Sequence, residues 1–141
     1  MTETAGLRLL AEDAEDLAVI AAALQDAVGK IGDILYEPAT RQLTLALNRY
    51  RWEAKGGERV RSAIQLGSVL KVQARKLRRG AKDAVVELLN IAFEPGEAPG
   101  GAVVFTFAGG GDLRAEVECL DVVLADVSSP WPTPRTPKHE L

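Results

Sequence analysis

The sequence predicts an α+β protein in which an N-terminal helix precedes about seven antiparallel strands and a short C-terminal helix closes the chain. Three observations predict this fold class. Apolar residues near the N-terminus repeat with the 3.6-residue period of a helix. Over residues 33–119 they mostly alternate with polar residues, as in strands with one buried face. The connections are short, which favours neighbouring strands in a curved sheet or a partly closed barrel.

The first helix is expected to begin at Asp13, whose side chain can cap it, after a short strand that contains Leu7 and Leu9. Gly29 or Gly32 would end this helix. Its buried face is predicted to consist of Leu17, Ile20, Ala21, Leu24, Val28 and Ile31.

The strands that follow are separated by segments rich in glycine, proline or charge. The loop at 94–101 and the glycine triplet at 109–111 are typical of turns, and 76–82 is expected to be an exposed basic loop. The predicted strands lie near residues 34–36, 43–52, 60–66, 70–75, 86–93, 103–107 and 113–119.

The final element is predicted to be a helix, because Leu120, Val123, Leu124 and Val127 have helical spacing. This order of elements is similar to the pleckstrin-homology-like barrel, a likeness of fold that carries no ligand with it. We expect one domain over residues 1–127 and an extended, proline-rich tail over residues 128–141.

Composition excludes several classes of protein. With 141 residues, of which 47% are hydrophobic and 26% charged, the chain can form one core without disulfides. The single cysteine, Cys119, excludes an internal disulfide and a cysteine-built zinc site. No apolar run reaches the ~20 residues that span a bilayer, and the N-terminus lacks the features of a signal peptide. We therefore expect a cytoplasmic protein without a membrane partner, metal or cofactor.

Charge is strongly segregated along the chain. Residues 41–82, here called the basic block, contain twelve Lys or Arg residues and two acids, a formal charge of +10, while the remainder carries −13. Two interpretations follow. The basic block binds an anionic partner, or the acidic segments of the chain fold onto it.

The strongest local pattern is the basic and aromatic segment around residue 50. Arginine can fork onto a phosphate or carboxylate, and an aromatic ring offers a stacking face. The alternative is that Tyr50 and Trp52 pack under the N-terminal helix while the arginines pair with its acids. The candidate ligand-binding residues are Arg49, Tyr50, Arg51, Trp52, Arg75, Lys76, Arg78 and Arg79.

Three other patterns are better explained by structure than by chemistry. The glycine triplet precedes an alternating strand rather than a helix, so a hairpin turn is favoured over a phosphate loop. Cys119 follows the inward-facing residues of its strand, which favours a structural role. Glu116 and Glu118 share one outward face, where pairing with basic residues is simpler than catalysis. His139 is expected to be a solvated residue of the tail, and we predict no catalytic residues.

Segments over most of the chain resemble an uncharacterised family of small bacterial proteins, mainly alphaproteobacterial, catalogued as a domain of unknown function. This resemblance implies a bacterial cytoplasmic protein and no particular chemistry. The matching segments are EDLAVI at 15–20, LQDA at 24–27, LNRYRWE at 47–53, FEPG at 93–96, FAGGG at 107–111 and EVEC at 116–119.

The function that the sequence favours is therefore a non-enzymatic binding or interaction module. Its partner would be an acidic protein or a small anion, bound by charge-assisted hydrogen bonds and an aromatic contact. A strand edge could also pair between two copies to form a homodimer. Nucleic-acid binding by the basic block is the alternative, although the pI near 5.2 and the absence of a nucleic-acid motif disfavour it. An enzyme would need a pocket with convergent titratable groups, which the sequence does not reveal.

Overall fold

A computed structural model of the protein describes residues 6–134 and 137, and within them it contains eleven strands and one α-helix. Residues 31–33 form a single 3-10 turn. The elements are β1 Arg8–Ala11, α1 Ala14–Ala23, β2 Val28–Lys30, β3 Ile34–Glu37, β4 Gln42–Tyr50, β5 Glu58–Leu66, β6 Val69–Arg75, β7 Val85–Pro95, β8 Gly101–Phe107, β9 Asp112–Val117, β10 Val122–Asp126 and β11 Trp131–Pro132.

The strands form one antiparallel sheet in the order β1-β10-β5-β4-β2-β7-β8-β9-β6. Two short strands lie beside this path: β3 pairs with the first half of β4, and β11 pairs with the start of β5. Residues 131–132 of the expected tail thus extend the sheet. The three-residue β2 joins the two halves of the sheet, because it pairs with β4 on one side and β7 on the other.

The sheet curves back on itself, so that its two halves enclose one core. Only Gly67 and Ser68 separate β5 from β6, although these strands belong to opposite halves. At this crossing the backbone N–H of Val69 donates to the carbonyl of Arg41, 2.9 Å away, just before β4 begins. Helix α1 packs against both β1 and β7, which brings the two halves together a second time. The buried core includes Leu17, Ile20, Leu43, Leu45, Leu47, Ile64, Leu88, Phe105, Phe107, Leu113 and Leu124.

The predicted fold class is wrong in its closing element and its strand count. The α+β prediction had about seven strands and a C-terminal helix, whereas the described residues contain eleven strands and only α1 as an α-helix. The segment assigned to the closing helix is β10, which pairs with both β1 and β5. Val122 and Leu124 point into the core from this strand. The pleckstrin-homology-like order of elements is therefore also wrong.

The N-terminal helix begins where the sequence predicts but ends earlier. Asp13 is its N-cap, and the Asp13 carboxylate accepts a hydrogen bond of 2.8 Å from the backbone N–H of Asp16. The last helical residue is Ala23, and neither predicted glycine ends the helix. Val28 and Gly29 instead belong to β2, which is too short to show the alternation of a strand.

Among the described residues, no helix is long and apolar enough to cross a membrane.

Candidate functional site

Most arginines on or next to the strands of the basic block are paired with acids, whereas Arg59 donates to the carbonyl of Asn48. Their partners lie on β9, in the turn after β9, in the 3-10 turn and at the start of β5. The partners of Arg49 are considered separately below. The other close ion pairs are Arg41–Glu118, Arg51–Glu58, Arg61–Asp33 and Arg75–Asp112, and Arg51 Nε also lies 3.9 Å from Oε2 of Glu53.

Arg49 lies at the centre of a buried ionic cluster and has no exposed surface. It continues the inward face of β4, after Leu47. Its Nε and Nη2 donate to the two carboxylate oxygens of Asp126 at 2.9 and 2.8 Å, and Nη1 and Nη2 donate to those of Glu53 at 2.9 and 2.7 Å. Asp126 also accepts hydrogen bonds from the Ser62 hydroxyl at 2.6 Å and the Leu7 N–H at 2.9 Å. The cluster therefore connects β4, β5, β10 and the N-terminal segment.

The protonation states of this cluster are fixed by its contacts. Burial alone would lower the pKa of the Arg49 guanidinium, but the hydrogen bonds to Glu53 and Asp126 outweigh this and raise it. The hydrogen bond from Arg49 lowers the pKa of the Glu53 carboxyl. Burial would raise the pKa of Asp126, but hydrogen bonds from Arg49, Ser62 and Leu7 lower it. All three groups are thus charged at neutral pH. Because these charges already pair with one another, we interpret the cluster as structural and not as a binding site for a ligand.

The rest of the basic and aromatic segment is only partly accessible. The side chain of Arg51 is mostly buried, and its Nη1 lies 2.5 Å from Oε1 of Glu58. Tyr50 is buried, and its ring meets the ring of Trp52 edge-on with 4.7 Å between centroids. Trp52 is 38% exposed. The partners of Arg49 and Arg51 are Glu53, Glu58 and Asp126, so the acids of the N-terminal helix are not involved.

A different part of the basic block is exposed and unpaired. The loop between β6 and β7 carries four cations in its residues 76–82, which we call the basic loop. Within the described part of the chain, none of these four side chains has an acidic partner or a hydrogen bond. The acid nearest to these cations in sequence is Asp83, and its Oδ1 lies 3.7 Å from Nζ of Lys30 instead. The cations are Lys76, Arg78, Arg79 and Lys82.

The backbone holds the basic loop in a defined place. At its beginning, Leu77 packs against Gly111. A Cβ added to Gly111 would lie only 2.7 Å from Leu77 Cδ2. At its end, the Gly32 N–H donates to the carbonyl of Lys82 at 2.9 Å. Between these points the Ala81 N–H donates to the carbonyl of Arg78 at 3.0 Å, forming a turn. The glycine turn 109–111 and the 3-10 turn 31–33 thus support the loop from two sides.

An apolar pocket opens beside the basic loop, between β3 and β6. Its volume is about 250 Å³. Neither strand pairs with the other, because β3 pairs only with β4 and β6 only with β9 among the described residues. We call this opening the seam pocket, and its lining residues are Ile31, Ile34, Tyr36, Leu43, Val72, Ala74, Leu77, Arg79 and Leu113.

The structure divides the predicted binding residues into two groups. Arg49, Tyr50, Arg51 and Trp52 lie at the end of β4, whereas Arg75 ends β6 and the last three belong to the basic loop. No hydrogen bond or ion pair within residues 6–134 joins the groups. Arg75 is held by Asp112 on β9, with Nη2 and Oδ2 2.5 Å apart. Lys76, Arg78 and Arg79 remain open to solvent.

Sequence reasoning missed Lys82 as a member of this group and missed the seam pocket. The alternation of Val72 and Ala74 in β6 signals one inward face, but not that this face meets β3 across a gap. The signal for Lys82 is present in the sequence, because Lys82 belongs to the segment that is expected to be basic and exposed.

The other candidate residues are not part of the basic loop. Cys119 is half-buried, with its Sγ 4.0 Å from the Ser68 hydroxyl, and Glu118 pairs with Arg41. The glycine triplet is a hairpin turn between β8 and β9, with Gly109 and Gly110 at positive φ. His139 lies outside the described residues, which contain no group of three or more His, Cys, Asp or Glu side chains arranged to hold a metal.

Comparison with known proteins gives a family and no activity. A family model described as "Protein of unknown function (DUF2948)" matches residues 7–139. The chain therefore belongs to this family, and the resemblance to a family of unknown function is confirmed. Neither a curated protein nor a solved structure matches the chain.

Proposed function

We propose that this member of a family of unknown function is a non-enzymatic binding module that holds an anionic group, on a small anion or an acidic partner, at the basic loop. One observation carries the proposal. Lys76, Arg78, Arg79 and Lys82 are exposed and have no acidic partner within the described residues, whereas the arginines on the neighbouring strands of the same block mostly do.

The physical argument is one of uncompensated charge. Four cations within seven residues repel one another, and a bound anion would relieve this repulsion. Arginine adds geometry to the attraction, because its planar guanidinium can donate two parallel hydrogen bonds to a carboxylate or phosphate. The net charge of −3 does not oppose binding, since charges more than about 8–10 Å away are largely screened at physiological salt.

The segment Arg49–Trp52 has a smaller part in this proposal than its sequence suggested. Arg49 is fully enclosed and already pairs with two carboxylates, so an incoming anion would have to displace Asp126 or Glu53. Breaking such a buried pair costs about 3–5 kcal/mol, which a surface anion does not supply. Trp52 is the accessible member of the segment.

Retention on immobilised heparin, compared with a cation exchanger, tests the proposal. The Arg78→Gln/Arg79→Gln variant removes two cations of the basic loop. The Arg8→Gln/Lys55→Gln variant is the matched control, because it removes two exposed cations elsewhere and also changes the formal net charge from −3 to −5. We expect the loop variant to elute at clearly lower salt than the wild type and the control. Equal elution of the two variants would contradict the proposal.

Nucleic acid remains the alternative partner of the same loop. Its binding would weaken steeply with salt, in proportion to the number of phosphates contacted. Because most arginines on the strands of the basic block are paired internally, we expect a shallow salt dependence with single-stranded DNA, from at most about four contacts. The cytoplasmic location expected from the sequence is part of the same proposal, and cell fractionation tests it.

A further inference from the structure

We propose that the seam pocket binds the apolar chain of a small amphipathic carboxylate, whose carboxylate group pairs with Arg79 at the edge of the pocket. The proposal deepens the proposed function and rests on it, since it names the class of anion that the basic loop holds. Its basis is one juxtaposition: an apolar cavity and an unpaired arginine share the same opening.

The walls of the seam pocket suit a hydrocarbon chain. One wall comes from the 3-10 turn and β3, and the facing wall comes from β6 and the start of the basic loop. Eight of the nine lining residues are apolar or aromatic, and the ninth is Arg79. Burial of each methylene group of a ligand in such surroundings raises the affinity about fourfold.

The polar groups at one end of the seam already have partners. The Tyr36 hydroxyl donates to the carbonyl of Val69 at 3.1 Å, and the Val69 N–H donates to the carbonyl of Arg41 at 2.9 Å. These contacts hold β3 and β4 against the start of β6. The proton of the only hydroxyl among the lining residues is therefore already donated, and Arg79 is the one lining side chain with donors left for a carboxylate.

The volume limits the size of the ligand. A cavity of about 150 Å³ takes a benzene molecule, so the seam pocket at about 250 Å³ takes roughly ten non-hydrogen atoms. Octanoate has eight carbon and two oxygen atoms. A longer chain would leave part of its length in solvent, and a shorter one would leave the pocket partly empty.

Calorimetric titration of the full chain with butanoate, hexanoate and octanoate tests this assignment. We expect affinity to rise about fourfold with each added methylene up to octanoate. Octanol, which has no charge, should bind more weakly than octanoate. Affinity that does not depend on chain length, or no detectable binding of octanoate, would overturn the proposal.

Two variants locate the ligand. Ala74→Leu fills the pocket with three further carbon atoms and should weaken octanoate binding by more than about tenfold. Arg79→Gln should weaken octanoate three- to fivefold, as expected of an exposed ion pair, and leave octanol unchanged. Arg79 is exposed, so this variant folds even if Ala74→Leu does not. Arg8→Gln is the control and should bind octanoate as the wild type does.

The failure of this inference is distinguishable from failure of the proposed function. If octanoate does not bind while Arg78→Gln/Arg79→Gln lowers retention on heparin, the pocket assignment is wrong and the anion site stands. If octanoate and octanol bind equally and neither Arg79→Gln nor the double variant has an effect, both the carboxylate assignment and the proposed function are wrong.

Discussion

Arg49 is a charged residue at a position where the alternation along β4 predicts a buried side chain. It can stay there because two carboxylates and the hydrogen bonds around them compensate its burial. Asp126 is the more enclosed partner, with 4% of its side chain exposed against 43% for Glu53. The ion pair between Arg49 and Asp126 is thus expected to contribute more to the stability of the fold than the pair between Arg49 and Glu53.

Replacement of Asp126 by asparagine should destabilise the protein by about 3 kcal/mol, because it leaves a buried guanidinium with one carboxylate instead of two. Unfolding in urea measures the change. Glu118→Gln is the matched control, since it removes the charge from the exposed pair with Arg41 and should cost less than about 1 kcal/mol. Equal effects of the two variants would show that the buried cluster stabilises the fold no more than an exposed ion pair does.

The sequence predicted part of this arrangement. Apolar and polar residues alternate along β4, which indicates that Arg49 shares the face of Leu43, Leu45 and Leu47, and the structure has it on that face. The main partner could not be identified, because Asp126 lies 77 residues further along the chain. Periodicity predicts which face of a strand a residue occupies. It does not predict which side chains a distant segment places against that residue.

At the scale of elements, β10 shows how a period can mislead. Leu120, Leu124 and Val127 fit a helix, but Leu120, Val122 and Leu124 also fit the two-residue period of a strand. The valines at 122, 123 and 127 favour the strand, because branching at Cβ is better accommodated there. In the structure, β10 lies between β1 and β5, a place that no local pattern could indicate.

The short strand β2 lies closely packed against β4. Gly29 is buried there, and a Cβ would stand 2.8 Å from the carbonyl oxygen of Ala46 and 2.7 Å from Leu47 Cδ2. We expect Gly29→Ala to destabilise the protein by about 1–3 kcal/mol through this overpacking. Thermal or urea unfolding measures the effect.

The control for this prediction is Gly80→Ala. A Cβ at Gly80 would meet no other atom within 4 Å, and this residue lies in the exposed basic loop, so alanine should be neutral or mildly stabilising. If Gly29→Ala were as well tolerated as Gly80→Ala, the close approach of β2 to β4 would be contradicted.

For the whole molecule, the segregation of charge has two consequences. Acids that follow the basic block in sequence, Asp112, Glu118 and Asp126, pair with arginines within it. The basic loop is left outside these pairs. Folding of acidic segments onto the basic block thus accounts for several of its arginines. Our proposal applies the other interpretation, binding of an anionic partner, to the basic loop alone, a division that the sequence alone could not make.

The position of the seam pocket also belongs to the whole molecule. Its walls come from the segments 31–43 and 72–79, which residues 44–71 separate in the chain, and from Leu113. They meet because the chain crosses between the halves of the sheet at Gly67 and Ser68. Local pattern could predict an inward face for each strand, but the gap between β3 and β6 follows from topology.

The most direct test of the central claim, that anions bind at the basic loop, is to follow the backbone amide resonances of the ¹⁵N-labelled chain during titration with a short heparin fragment. We predict the largest shifts at residues 76–82 and in the adjoining glycine turn 109–111, with little change at residues 49–52. Largest shifts at residues 49–52, or small shifts spread over the whole surface, would contradict the claim.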